Sequence, residues 1–84
     1  MELFEIMIGI KIPKMGAATV EVDLTKWHVS KGSTVAPGQI IAEVESEKTT
    51  IEIEVQHAGV IEEICVPEGA STEVGVVICR LRPT

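Results

Sequence analysis

Few residues in this chain are able to do chemistry, and one of them stands apart. In VESEKTTIEIEV, Val44 to Val55, Lys48 is the lone cation, with Glu45 and Glu47 before it and Glu52 and Glu54 after it. A primary amine in such a place either balances the surrounding carboxylates or serves as a nucleophile on which another group is built. The other candidates offer less. His28 and His57 have no carboxylate or second histidine at catalytic spacing, and both are expected to be solvent-facing or turn residues. Cys65 (EEICVPE) and Cys79 (VVICRLR) are too few for a disulfide framework, and their apolar neighbours predict a buried, reduced thiol at each. No Cys or His pairs show metal-ligand spacing, so no metal site is assigned. With no activated nucleophile and no paired acid and base, no catalytic residue is assigned either.

The elements that would position Lys48 emerge from an internal repeat. Leu24 to Glu45 (LTKWHVSKGSTVAPGQIIAEVE) superposes without gaps on Ile61 to Arg82 (IEEICVPEGASTEVGVVICRLR), an offset of 37 residues. Val29, Gly32 and Gly38 fall on Val66, Gly69 and Gly75, and Leu24, Trp27, Ile40, Ile41 and Val44 meet Ile61, Ile64, Val77, Ile78 and Leu81. Each half reads as strand, glycine-marked turn, strand, with the glycines supplying the positive φ that tight turns need. The spacing Leu24, Trp27, Val29 and its echo Ile61, Ile64, Val66 break strict alternation at the same place, which predicts a β-bulge in both halves. VEVDL and IEIEV alternate with period two, and no segment sustains a helical period. The expected fold is therefore all-β: a flattened barrel or sandwich of two short antiparallel sheets with internal pseudo-twofold symmetry. Ile51, Ile53 and Val55 should face inward, with Glu52 and Glu54 outward. The chain passes between the halves at residues 46–50, where SEKTT has the composition of a hairpin turn. Symmetry would place that crossover at one end of the molecule and the termini near the other.

Composition bounds the partners. Eighty-four residues make one domain with one small core, and with only Trp27 and Phe4 as aromatics that core must be aliphatic. Thirteen Asp and Glu against seven Lys and Arg give a formal net charge of -6, against nucleic acid and against an anionic membrane surface. The N-terminal MELFEIMIGIKIP lacks a basic region and a cleavage site and reads as the lead-in to a first strand rather than a signal peptide, and no apolar run reaches spanning length. Met7 is expected as core filler and Met15 as a loop residue.

From IKIPKMG through the repeat to AGVIEEICVPEGASTEVGVVICRL, the chain resembles the lipoyl domains of the acyltransferase components of 2-oxo acid dehydrogenase complexes, in the biotinyl/lipoyl attachment family. The likeness covers residues 8–82 as a single domain, a barrel-sandwich hybrid, with residues 83–84 starting a linker. The family attaches its cofactor at Glu-x-Asp-Lys-Ala, and here Glu45, Ser46, Glu47, Lys48 and Thr49 stand in those places, with Glu for Asp and Thr for Ala. Trp27, Gly32 and Gly38 fall where the family has its W-x-V-x-x-G and G-Q elements.

The resemblance implies lipoic acid in amide linkage on Lys48, with Glu45, Glu47 and Thr49 forming the recognition motif around it. It implies a non-catalytic cytoplasmic carrier, monomeric when isolated, that shuttles acyl groups and electrons. Its partners would be a lipoate ligase or lipoyl transferase, a thiamine-dependent 2-oxo acid dehydrogenase, the acyltransferase core and dihydrolipoamide dehydrogenase. Lys14, in PKMGAA, lies where family members contact the dehydrogenase, or is simply a solvated loop lysine. The acids Glu43, Glu45, Glu47, Glu52 and Glu54 would make one acidic end around the tip, read by a basic groove or merely outward strand positions. Two rivals remain. A biotinyl carrier has methionine on both sides of its lysine, where this chain has Glu47 and Thr49. An unmodified barrel-sandwich interaction module would have no need of a lysine at the repeat junction.

Overall fold

The computed structural model describes residues 6–14, 21–47 and 49–84, which form eight β-strands. They are β1 (Ile8–Lys11), β2 (Glu21–Trp27), β3 (Thr34–Val35), β4 (Ile40–Glu45), β5 (Thr50–Glu54), β6 (Gly59–Ile64), β7 (Ser71–Glu73) and β8 (Val77–Pro83). Two four-stranded sheets result, with orders β1-β8-β6-β3 and β5-β4-β2-β7, and every pairing is antiparallel.

The two orders are one order written twice. Replacing β1, β8, β6 and β3 by β5, β4, β2 and β7 converts the first sheet into the second. The register repeats as well. Leu24 faces Val44 and Trp27 faces Ala42, with a bulge between Leu24 and Lys26. Ile61 faces Leu81 and Ile64 faces Cys79, with a bulge between Ile61 and Glu63. Both bulges lie where alternation breaks in the sequence. Because the extra residue re-phases the strand, Leu24 and Ile61 point inward from one side of it and Trp27 and Ile64 pack on the core from the other.

The core is aliphatic, as the shortage of aromatics requires. Leu24, Ile41, Val44, Val55, Ile61, Ile78 and Leu81 have no solvent-accessible surface, and each such side chain contributes about 1.5–3 kcal/mol of transfer free energy. Ile53 and Val55 are buried and Ile51 is half-buried, while Glu52 and Glu54 face outward. Two positions depart from expectation. Met7 is 39% exposed rather than core filler, because it precedes the first residue that β8 pairs. Cys65 is exposed, and only Cys79 is buried; both thiols are free. Cys65 lies between inward-facing Ile64 and Val66, so strand alternation turns it out whatever its neighbours' hydropathy. Met15 lies outside the described residues.

Connectivity decides what the body holds rigid. Consecutive strands from β1 to β4, and again from β5 to β8, alternate between the two sheets. Among the described strands only β4 and β5 follow one another within a single sheet as neighbours. Hydrogen bonds secure the sheet changes in matching fashion. Gly32 N–H donates to Ile61 O and Gly69 N–H to Leu24 O, both at 2.7 Å, with φ of 92° and 87° at the two glycines. Trp27 adds a further tie, its indole N–H donating to Val66 O at 2.9 Å and its amide to Glu68 Oε1 at 2.9 Å. The chain ends leave from β1 and β8, which are paired in the sheet that does not contain the β4–β5 hairpin.

Candidate functional site

The β4–β5 hairpin follows from its two arms. IIAEVE and TIEIE place apolar side chains on the core and glutamates on the outer face, and their register runs from Ile40 opposite Glu54 to Glu45 opposite Thr50. Beyond that last pair, Ser46, Glu47 and Thr49 lie in the segment that joins the two strands. Ser46 N–H donates to Thr49 O at 2.8 Å. The Ser46 hydroxyl donates to the same carbonyl at 3.3 Å and accepts from Thr49 N–H at 3.2 Å. Ser46 is 9% exposed and is the one buried polar side chain among the described residues.

The predicted site residues are thereby located, with one exception. Glu45 ends β4, exposed. Glu47 and Thr49 are exposed in the turn. Lys48 lies outside the described residues. Ser46 carries the hydrogen bonds of the turn and was not singled out from the sequence, since a serine beside glutamates gives no sign of its partner until the hairpin closes. Lys14 is exposed, beyond β1.

The acidic residues are spread along a face rather than gathered at the tip. Glu45 and Glu47 flank the turn and Glu43 faces Glu52 across the strands. Glu54 stands at the far end of β5, about 13 Å from Thr50 at strand rise. There it borders a groove of about 240 Å³ between β1 and the 54–57 segment, lined also by Ile8, Ile10, Lys11 and His57. His57 is exposed in the turn that changes sheets, as expected. His28 is exposed too, but it has a partner that sequence spacing conceals: its Nε2 is 2.6 Å from Glu43 Oε2 on the adjacent strand.

The two sheets carry different charge at equivalent places. Glu43 and Glu45 correspond by the repeat to Arg80 and Arg82, which form ion pairs with Glu63 and Glu62. On the hairpin's sheet Glu45 instead faces Asp23, whose carboxylate accepts from the Ser71 hydroxyl at 2.7 Å. The hairpin's sheet is thus the acidic face. Among the described residues no group of three or more His, Cys, Asp and Glu is arranged to hold a metal ion, and no helix is long and apolar enough to cross a membrane.

Known proteins resemble this chain in sequence. A biotin/lipoyl family model, described as "Biotin-requiring enzyme", matches residues 8–81. The chain is 42% identical over 72 residues to the dihydrolipoyllysine-residue acetyltransferase component of the pyruvate dehydrogenase complex of Zymomonas mobilis, covering 84% of this chain and 16% of that protein. It is 32% identical over 78 residues to the mitochondrial dihydrolipoyllysine-residue succinyltransferase component of the human 2-oxoglutarate dehydrogenase complex, covering 93% and 17%. To the acetyltransferase component of Staphylococcus aureus strain Mu50 it is 34% identical over 71 residues, covering 84% and 16%. The chain therefore spans about one sixth of the length of these relatives.

Proposed function

Because the chain belongs to the biotin/lipoyl attachment family, we propose that Lys48 carries a lipoyl group in amide linkage and that the domain is the mobile carrier of a 2-oxo acid dehydrogenase complex. The family is one of covalently attached lipoyl or biotin cofactors, and the chain is a lipoyl-type domain like those of the acyltransferase components it matches. The observation that carries the proposal is the β4–β5 hairpin, the one in-sheet strand connection among the described strands, whose arms are joined by the stretch of sequence that resembles the family's attachment motif.

The residues around the turn fit such a group. Glu45, Glu47, Thr49 and Thr50 are exposed, so a modifying enzyme can approach the turn from solvent. Lys48 has to act once as a nucleophile. Its ε-amine would form the amide with the carboxyl carbon of an activated lipoic acid, the activating group leaving with the electron pair of the broken bond and one amine proton passing to water. Once bound, the group supplies a cyclic disulfide able to accept an acyl group and electrons. The domain's own task is presentation: a rigid sheet body holds the turn in fixed register while partners dock on it.

Lipoyl is preferred to biotinyl because Glu47 and Thr49 flank the lysine, and because the relatives are named for dihydrolipoyllysine. The partners proposed are a lipoate ligase or lipoyl transferase, the thiamine-dependent dehydrogenase, the acyltransferase core and dihydrolipoamide dehydrogenase. Expression with a lipoate ligase and, separately, with a biotin ligase tests the proposal by intact mass and peptide mapping. A lipoyl adduct on Lys48 is the expected result. A biotinyl adduct, an adduct on another lysine, or no adduct overturns it.

A further inference from the structure

We infer that Ser46 is the positioning residue for modification at Lys48, acting by holding the two ends of the turn together; this rests on the lipoyl-carrier reading above. Three observations lead to it. Ser46 is the single buried polar side chain among the described residues, and burying a hydroxyl is tolerated only where it is hydrogen-bonded. Its hydroxyl meets both backbone groups of Thr49, so the residue before Glu47 is tied to the residue after Lys48 by side chain as well as by main chain. The body of the fold does not call for a hydroxyl at this place. The repeat puts Pro83 at the equivalent position in the other half, which has neither a hydroxyl nor an N–H and still pairs with Gly59.

The consequences of removing the hydroxyl are therefore local. Ser46→Ala keeps the main-chain bond from Ser46 N–H to Thr49 O, so the β4–β5 register survives. Thr49 N–H loses the hydroxyl it donates to, and the two residues between gain backbone freedom. A nucleophile that wanders misses the attack geometry, which lowers the rate of amide formation rather than the stability of the fold.

The test uses the full 84-residue chain with a lipoate ligase, ATP and lipoic acid, following intact mass at a temperature well below each variant's melting midpoint. Ser46→Ala is expected to lose roughly tenfold or more in kcat/KM, chiefly through kcat, while Ser46→Thr, which keeps the hydroxyl, stays within roughly threefold of wild type. Amide exchange at Thr49 should speed up in Ser46→Ala and remain protected in Ser46→Thr. Wild-type kinetics for Ser46→Ala, or equal losses in Ala and Thr, overturn the inference while leaving the carrier reading intact. Failure of the wild-type chain to gain an adduct on Lys48 overturns both.

Discussion

Leu24 donates its amide to Ala70 O and accepts from Gly69 N–H, and Ile61 repeats both bonds with Ser33 O and Gly32 N–H. Both side chains are fully buried. The pair shows what the duplication accomplishes, since each half secures its central strand with the turn of the other.

Leu24→Ala and Ile61→Ala should therefore cost similar amounts, each about 2–5 kcal/mol from lost burial and the residual cavity. Urea denaturation measures both. A cost at one site several times that at the other would show that the halves are not energetically equivalent.

Lys48→Ala should change nothing but modification. Its unfolding free energy should stay within about 0.5 kcal/mol of wild type, and its mass should not increase after incubation with the ligase. Circular dichroism and mass spectrometry read the two halves of this expectation.

Glycines at two kinds of place should fail in different ways. At Gly32 and Gly69 a Cβ meets open space, but φ is +92° and +87°. Alanine there costs about 1–2 kcal/mol of backbone strain, and D-alanine introduced by chemical synthesis should recover it. At Gly59 the Cβ would lie 2.4 Å from Arg82 O, so the β6–β8 pairing itself must move. Neither alanine enantiomer should match wild type there, and thermal unfolding of the synthetic proteins distinguishes the two cases.

The two thiols should separate under alkylation. Cys65 is exposed and should react with iodoacetamide in the native protein. Cys79 has no accessible surface, and its pKa is pushed up to about 12 by burial and by the nearby Cys65 thiol, so it should react only after unfolding. The sign for stability follows. Between the ordinary thiol pKa near 9 and about 12 the unfolded chain has lost this proton and the native one keeps it, so Cys79's contribution is complete below pH 9 and declines as pH rises through that window. Cys79→Ala, although less stable at neutral pH, should lose less stability between pH 8 and 11 than wild type; an identical slope would contradict the assignment.

How much of this was legible depended on whether each signal was local. The repeat could be read because β2, β3 and β4 map on β6, β7 and β8 with one constant offset, and the bulges announced themselves as shared breaks in alternation. The equivalence of β1 and β5 was hidden. Ile8 to Lys11 map on Ile51 to Glu54 with an offset of 43 rather than 37, because the stretch between equivalent positions of β1 and β2 is six residues longer than that between β5 and β6. Cys65 runs against the hydropathy of its neighbours because strand phase, set by inward-facing Ile64 and Val66, decides which way it points. The His28–Glu43 contact and the Ser46 lock join residues that carry no mark of each other until the strands pair.

Since every other passage between consecutive described strands stitches one sheet to its mate, the segment joining β4 to β5 is the one among them that can be lengthened without touching a tie between the sheets. The domain should thus behave as a portable pedestal, able to display other short peptides between the arms of that hairpin as readily as its own.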